Sequence, residues 1–139
     1  MSENKVKLLK SIFEFSPTNS VIKINGFYSD FISKDSFKTI FPNLNSNDSN
    51  NRVDYDIILT NDRKKLLLQI LDKEQENIVF ELTHFCVLYN GTTILLSFDT
   101  MDIISIKRNH FIQIENQLDR YTDLSIEVLD EIENNLFKV

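Results

Sequence analysis

Residues 78–98 read IVFELTHFCVLYNGTTILLSF and carry the strongest local structural signal in the chain. Two runs rich in β-branched and aromatic residues are separated only by Asn90-Gly91. This pair accepts the positive φ angles that both central positions of a type I′ turn require, so the stretch predicts a β-hairpin. A second turn over 99–101 and a third β-rich run over 102–107 extend the hairpin to an antiparallel meander.

The chain before this meander contains shorter helix and strand signals. Apolar residues at helical spacing predict a helix over 3–15, which ends at Ser16-Pro17 because a residue that precedes proline is disfavoured in the α region. A β-rich run over 21–25 predicts a strand, and a small apolar stripe predicts a short helix over 34–41. Residues 43–51, which are almost all Asn, Ser and Asp, predict a polar loop.

Two segments fit either a helix or a strand. The alternating run 53–59 predicts a strand, and Thr60-Asn61-Asp62 then offers caps for a helix whose apolar residues lie over 66–71. The same leucine-rich run would also suit a buried strand, so residues 64–72 stay open between the two structures, with helix favoured by propensity. Residues 110–120 are open in the same way, and their apolar spacing again favours a helix.

The C-terminal region predicts a third main helix, which Thr122 or Asp123 can cap. Its apolar residues recur at i+4 spacing and are Leu124, Val128, Ile132 and Leu136. Together these elements predict a single α+β domain over residues 1–139. In this domain a mostly antiparallel sheet is covered on one face by the N-terminal, middle and C-terminal helices.

Composition and charge narrow the function classes. The chain has 139 residues and a net charge of −6, and residues 61–139 carry the whole excess, with 8 basic and 14 acidic side chains. No stripe of Lys and Arg is available to hold a phosphate backbone, so nucleic-acid binding is not expected. No apolar run approaches the roughly 18 residues of a membrane span. The N-terminus also lacks the pattern of a signal peptide, so we expect a cytoplasmic protein without a membrane partner.

His84 and Cys86 are the first candidates for chemistry. They lie two positions apart on a predicted strand and so project from one face, and an imidazole beside a thiol can generate a nucleophilic thiolate. Most of their even-numbered neighbours are apolar, which favours a buried structural thiol over a hydrolase centre. The only other histidine is His110 and there is no second cysteine, so no zinc site is expected.

Asp54 and Asp56 offer a second possibility, because an Asp-x-Asp pair on a strand can present two carboxylates to Mg²⁺. The simpler interpretation places both carboxylates on the solvent side of an edge strand. The two glycines of the chain stand alone at 26 and 91. Neither a phosphate-binding nor a dinucleotide-binding loop is therefore present, and no cofactor is expected.

The acidic C-terminal third carries the leading functional hypothesis. Between residues 115 and 133, seven acidic side chains accompany a single base, Arg120. Like charges at i, i+4 spacing destabilise a helix, a cost that a docking site for a basic surface would explain. We therefore expect a small acidic protein that neutralises a basic partner, such as the immunity protein or antitoxin of a bacterial nuclease toxin. The expected contact residues are Asp54, Tyr55, Asp56, Glu115, Asp119, Asp123, Glu127, Asp130 and Glu131.

Two alternatives stay open at this stage. One is a small hydrolase that uses Cys86 with His84, or a metal held by carboxylates. The other is a non-catalytic subunit of a larger assembly, with phenylalanine-rich surface as its interface. An accessible Cys86 would favour the hydrolase, and an exposed apolar patch would favour the assembly subunit.

Overall fold

The computed structural model describes residues 3–27, 52–74 and 83–135, which form a six-stranded sheet with helices on one side. The helices are α1 (Glu3–Phe15), α2 (Asn61–Glu74) and the one-turn α3 (Ile112–Glu115), and a 3₁₀ turn follows at Leu118–Tyr121. The strands are β1 (Ser20–Phe27), β2 (Arg52–Leu59), β3 (His84–Tyr89), β4 (Thr92–Phe98), β5 (Ile103–Lys107) and β6 (Ser125–Leu129). Their order in the sheet is β2-β1-β3-β4-β5-β6, and only β5 and β6 pair in parallel. The predicted α+β class is confirmed.

The meander is confirmed in β3, β4 and β5, which are consecutive and antiparallel. Asn90 and Gly91 have φ angles of 51° and 78°, as the predicted turn requires. The second turn contains three successive residues in the left-handed conformation, Asp99, Thr100 and Met101. The side chain of Met101 is fully buried and packs in the core. The predicted start of the first strand, over 78–82, lies outside the described residues. So do the helix predicted over 34–41 and the loop predicted over 43–51.

The helix predictions for the first two-thirds of the chain are also confirmed where the structure describes them. α1 ends at Phe15, before Ser16-Pro17. The open choice over 64–72 is decided for helix, and the backbone N–H of Arg63 donates to the capping hydroxyl of Thr60 over 3.3 Å. Residues 110–120 are helical only in part, in α3 and the beginning of the 3₁₀ turn.

The prediction of a C-terminal helix was wrong. Residues 125–129 form β6, and no helix follows within the described residues up to 135. Two of the apolar residues at i+4 spacing also belong to a series at i+2 spacing. In that series Leu124, Ile126 and Val128 alternate with polar side chains, as they do in a strand. Ile126 and Val128 are β-branched, which favours a strand, and pairing with β5 stabilises the strand over the helix. The like charges at 123 and 127 therefore do not stack along a helix.

The core lies between the helices and one face of the sheet. α1, α2 and α3 all contribute to it, and fully buried residues such as Phe13, Leu71 and Phe85 fill it. The alternate strand positions form the opposite face, which we call the outer face. A small second cluster, Cys86, Leu88 and Leu96, is buried there beneath Ile132. Residues 130–135, which follow β6 and contain no helix, reach this face through Ile132 and Asn134.

Candidate functional site

A row of paired residues crosses the outer face through all six strands. Adjacent members of the row are Cα partners in the sheet register, in the order Asp56, Lys23, Cys86, Leu96, Ser105 and Glu127. Five strand spacings separate the two ends, which is about 24 Å. A carboxylate therefore stands at each edge of the sheet, and the two carboxylates have different surroundings.

At the β2 edge the carboxylate is neutralised. Lys23 Nζ donates to Asp56 Oδ2 over 2.9 Å, and Asp56 is exposed to solvent. The expected edge position of this aspartate is confirmed, since β2 is the outermost of the described strands on this side of the sheet. Asp54 and Tyr55 lie on the same strand, where their backbones pair with Asn25 and Ile24 of β1.

At the β6 edge, three glutamates border an open groove of about 430 Å³. We call this site the acidic groove, and its carboxylates are Glu127, Glu131 and Glu133. The remaining lining residues are mostly apolar and are Leu96, Phe98, Ile103, Ser105, Leu129 and Ile132. Ile103 is 46% exposed, so apolar surface is accessible directly beside the carboxylates.

The three groove carboxylates carry charge that the described part of the chain does not neutralise. Glu127 Oε1 accepts a hydrogen bond of 3.0 Å from the Ser105 hydroxyl. No lysine, arginine or histidine among the described residues forms an ion pair with any of the three glutamates. They do not converge on a point either, because within the described ranges no three His, Cys, Asp or Glu side chains are placed to hold a metal ion. The groove therefore presents an extended negative border beside apolar surface.

The other predicted acidic residues are dispersed. Asp130 follows β6 and accepts a hydrogen bond of 2.8 Å from Arg108 Nε, which raises the pKa of Arg108 above its ordinary value. Asp123 accepts a hydrogen bond from Asn4 of α1.

Two further predicted residues also lie away from the groove. Glu115 accepts a hydrogen bond from the backbone N–H of Asn109. Asp119 is exposed on the 3₁₀ turn, which contacts α1 on the helical side. Of the predicted contact residues, only Glu127 and Glu131 line the groove.

Cys86 lies under the chain that follows β6. Its side chain is fully buried, and burial raises the pKa of the thiol to about 11. The Asn134 amide donates to Thr93 Oγ1 over 3.0 Å and to Cys86 Sγ over 3.7 Å. His84 Nδ1 accepts the N–H of Asp99, so it supports the second turn of the meander. A protonated, covered thiol is a structural group, and this geometry gives the hydrolase alternative no support.

Glu133 and the apolar floor of the groove were not among the residues expected to form a site. The floor combines Phe98 of β4, Ile103 of β5 and Leu129 of β6, which only the register of the sheet brings together. One local signal could have located part of it. Ser125 and Glu127 alternate with Leu124, Ile126 and Val128, which indicates a strand with two distinct faces that continues to Leu129.

Comparisons with protein families, curated proteins and solved structures gave no match to this chain. Within the described residues, no helix is both long and apolar enough to cross a membrane. Function is therefore inferred from the geometry and charge of the outer face.

Proposed function

We propose that this chain is a small acidic binding protein whose groove receives a basic surface of a partner protein. In this role it neutralises the partner, as the cytoplasmic immunity protein or antitoxin of a bacterial toxin. The observation that carries the proposal is the acidic groove itself, where apolar floor residues adjoin three carboxylates without an ion-pair partner among the described residues.

Lysine and arginine side chains fit both features of the groove. Their aliphatic stems can lie on apolar surface such as Phe98 and Ile103, while their charged ends reach the carboxylates at the border. Arginine can also bind a carboxylate through two parallel hydrogen bonds, which adds direction to the attraction. A basic protein surface would therefore bury apolar area and neutralise charge at the same time.

Glu127 is already oriented for such a contact. Ser105 is buried and holds one carboxylate oxygen of Glu127 in place from the neighbouring strand. A group that is fixed before binding loses less conformational freedom when the partner arrives. The net charge of −6 also favours encounter with a basic protein.

A toxin that cleaves nucleic acid fits this description of a partner. Its active site must hold phosphates, so it carries a cluster of Lys and Arg. An acidic protein that covers the cluster blocks the substrate through the same charges. We therefore expect a basic, nucleic-acid-cleaving domain as the partner.

The test is capture of the partner from the source organism followed by titration of the purified pair. The chain should capture a basic protein, inhibit its activity at equal stoichiometry and bind more weakly by about tenfold or more when salt is raised from 0.05 to 0.3 M. The groove variant Glu127→Gln, Glu131→Gln, Glu133→Gln should lose at least about tenfold in affinity.

The matched control removes the same charge from the helical side, with Glu3→Gln, Glu14→Gln and Asp62→Asn, all of which are exposed. It should bind nearly as well as the natural chain. Equal losses in the two variants would show that net charge alone attracts the partner. An unchanged affinity of the groove variant would remove the groove from the interface.

A further inference from the structure

We infer that the basic partner adds a β-strand to the outer edge of β6. The inference rests on the proposed function and specifies how the partner engages the acidic groove. β6 is the outermost strand on its side, and no described strand pairs with its outer edge. An edge strand offers backbone N–H and C=O groups to an added strand, and main-chain pairing of this kind is a common mode of peptide recognition.

The two faces of β6 differ in a way that selects a partner sequence. Ile126 and Val128 face the core and are only half-buried, so apolar surface is left for a neighbouring strand to cover. Glu127 points to the outer face, where it lines the acidic groove. Residues that are directly opposite on paired strands share a face of the sheet. The added strand should therefore place a basic residue opposite Glu127 and apolar residues on either side of it.

Pairing between two copies of this chain fits the edge less well. An antiparallel pair of β6 strands centred on Glu127 would place the two Glu127 side chains directly opposite each other. Their Cβ atoms would then be about 5 Å apart, and like charges at that distance destabilise the pair. A strand that carries lysine or arginine at this position replaces the repulsion with attraction.

At the β2 edge, the outer-face carboxylate whose contacts the structure describes, Asp56, is already paired with Lys23. The groove borders β6, so a strand added there would contact Glu127 and leave Glu131 and Glu133 free to pair with flanking basic residues. Charge and apolar surface coincide at the β6 edge.

The test uses an acetylated and amidated heptapeptide in which valine and lysine alternate. β6 is about 17 Å long, a span that such a peptide covers. Ile126 and Val128 direct their N–H groups away from β5, because Leu129 faces it, so binding should slow amide hydrogen exchange at these two residues by about tenfold or more. Two control peptides are N-methylated on the backbone. In the first peptide every lysine carries the methyl group, and in the second every valine does. At least one of them should lose binding, because N-methylation of the residues that face β6 removes their hydrogen-bond donors.

A charge exchange provides the matched control. Glu127→Lys should lose the lysine peptide and should bind a peptide in which glutamate replaces lysine. If both methylated peptides bind normally and exchange at Ile126 and Val128 is unchanged, strand addition is wrong. The proposed function then still stands, provided that the groove variant loses the lysine peptide. If no lysine peptide binds, strand addition is also overturned, and the captured partner decides the proposed function separately.

Discussion

Ser105 donates a hydrogen bond to Glu127 across the only parallel strand pair of the described sheet. The donor is buried and the acceptor is exposed, so the bond anchors a surface carboxylate to the sheet. Ser105→Ala should lower the free energy of unfolding by about 1 kcal/mol, measured by urea denaturation. Glu127→Gln should cost less, since the amide oxygen still accepts the bond.

The double variant isolates this interaction. If the bond is made in solution, Ser105→Ala and Glu127→Ala should together cost less than the sum of the single changes, by about 0.5 kcal/mol or more. Strict additivity would show that the two side chains do not interact. The same Ser105→Ala variant should also weaken partner binding, because Glu127 is then less ordered before contact.

The meander was predictable because its signals are local. Asn90-Gly91 specifies a turn by backbone conformation alone, and the flanking runs have no competing helical pattern. β6 was not predictable in the same way. Leu124 and Val128 fit a helix and a strand equally, and the deciding contact is with β5, about twenty residues earlier in the chain.

Only part of the candidate site could be predicted from the sequence, for a related reason. Glu127 and Glu131, which line the acidic groove, could be named from charge as expected contact residues, but their interpretation as one helical stripe was wrong. The apolar floor is formed by three strands whose relative register follows from one turn and one crossover. No single segment of the sequence contains a pattern that predicts this whole surface, because its residues come from separate strands. The excess of acidic residues, in contrast, is visible along the chain.

Lys5 and Asp102 should respond unequally to mutation. Lys5 on α1 pairs with Asp102 in the second turn of the meander, and the two side chains are 10% and 62% exposed. Asp102→Ala leaves a buried ammonium without its carboxylate and should cost about 2 kcal/mol in unfolding free energy. Lys5→Met keeps the buried stem and leaves a hydrated carboxylate, so it should cost less than about 1 kcal/mol.

The comparison that tests the burial of Lys5 is whether Asp102→Ala costs more unfolding free energy than Lys5→Met. Combining both changes should recover part of the Asp102→Ala loss, because no unpaired buried charge is left. Equal costs for the two single variants, measured by urea denaturation, would show that Lys5 reaches water in solution.

Gly91 tests the turn between β3 and β4. Its φ is +78°, and a Cβ added there would meet no atom within 4 Å. Gly91→Ala should therefore cost about 1 kcal/mol through backbone strain alone, as thermal or urea unfolding will show. Asn90→Gly, in which glycine accepts the positive φ of 51°, should change stability by less than about 0.5 kcal/mol. A neutral Gly91→Ala would contradict the type I′ turn.

Cys86 should resist alkylation in the native protein. With a pKa of about 11 in place of 9.0, the thiolate fraction at pH 8 falls about 100-fold. Iodoacetamide labelling, followed by mass spectrometry, should be slowed by at least this factor relative to the unfolded chain. Ile132→Ala should speed the labelling, because Ile132 covers the cluster that contains Cys86. Rapid labelling of the natural chain would return the hydrolase alternative to consideration.

The same pKa shift predicts a loss of stability in alkali. Between about pH 9 and 11 the thiol of the unfolded chain loses its proton while buried Cys86 keeps it. Deprotonation then favours unfolding. The contribution of this group to stability is complete below pH 9, and about 3 kcal/mol of it is lost as pH rises through 11. Cys86→Ala lacks this group and should show a flatter decline in unfolding free energy over the window. Identical slopes in the two proteins would mean that Cys86 ionises normally, which requires that water reach the thiol beneath Ile132 and Asn134.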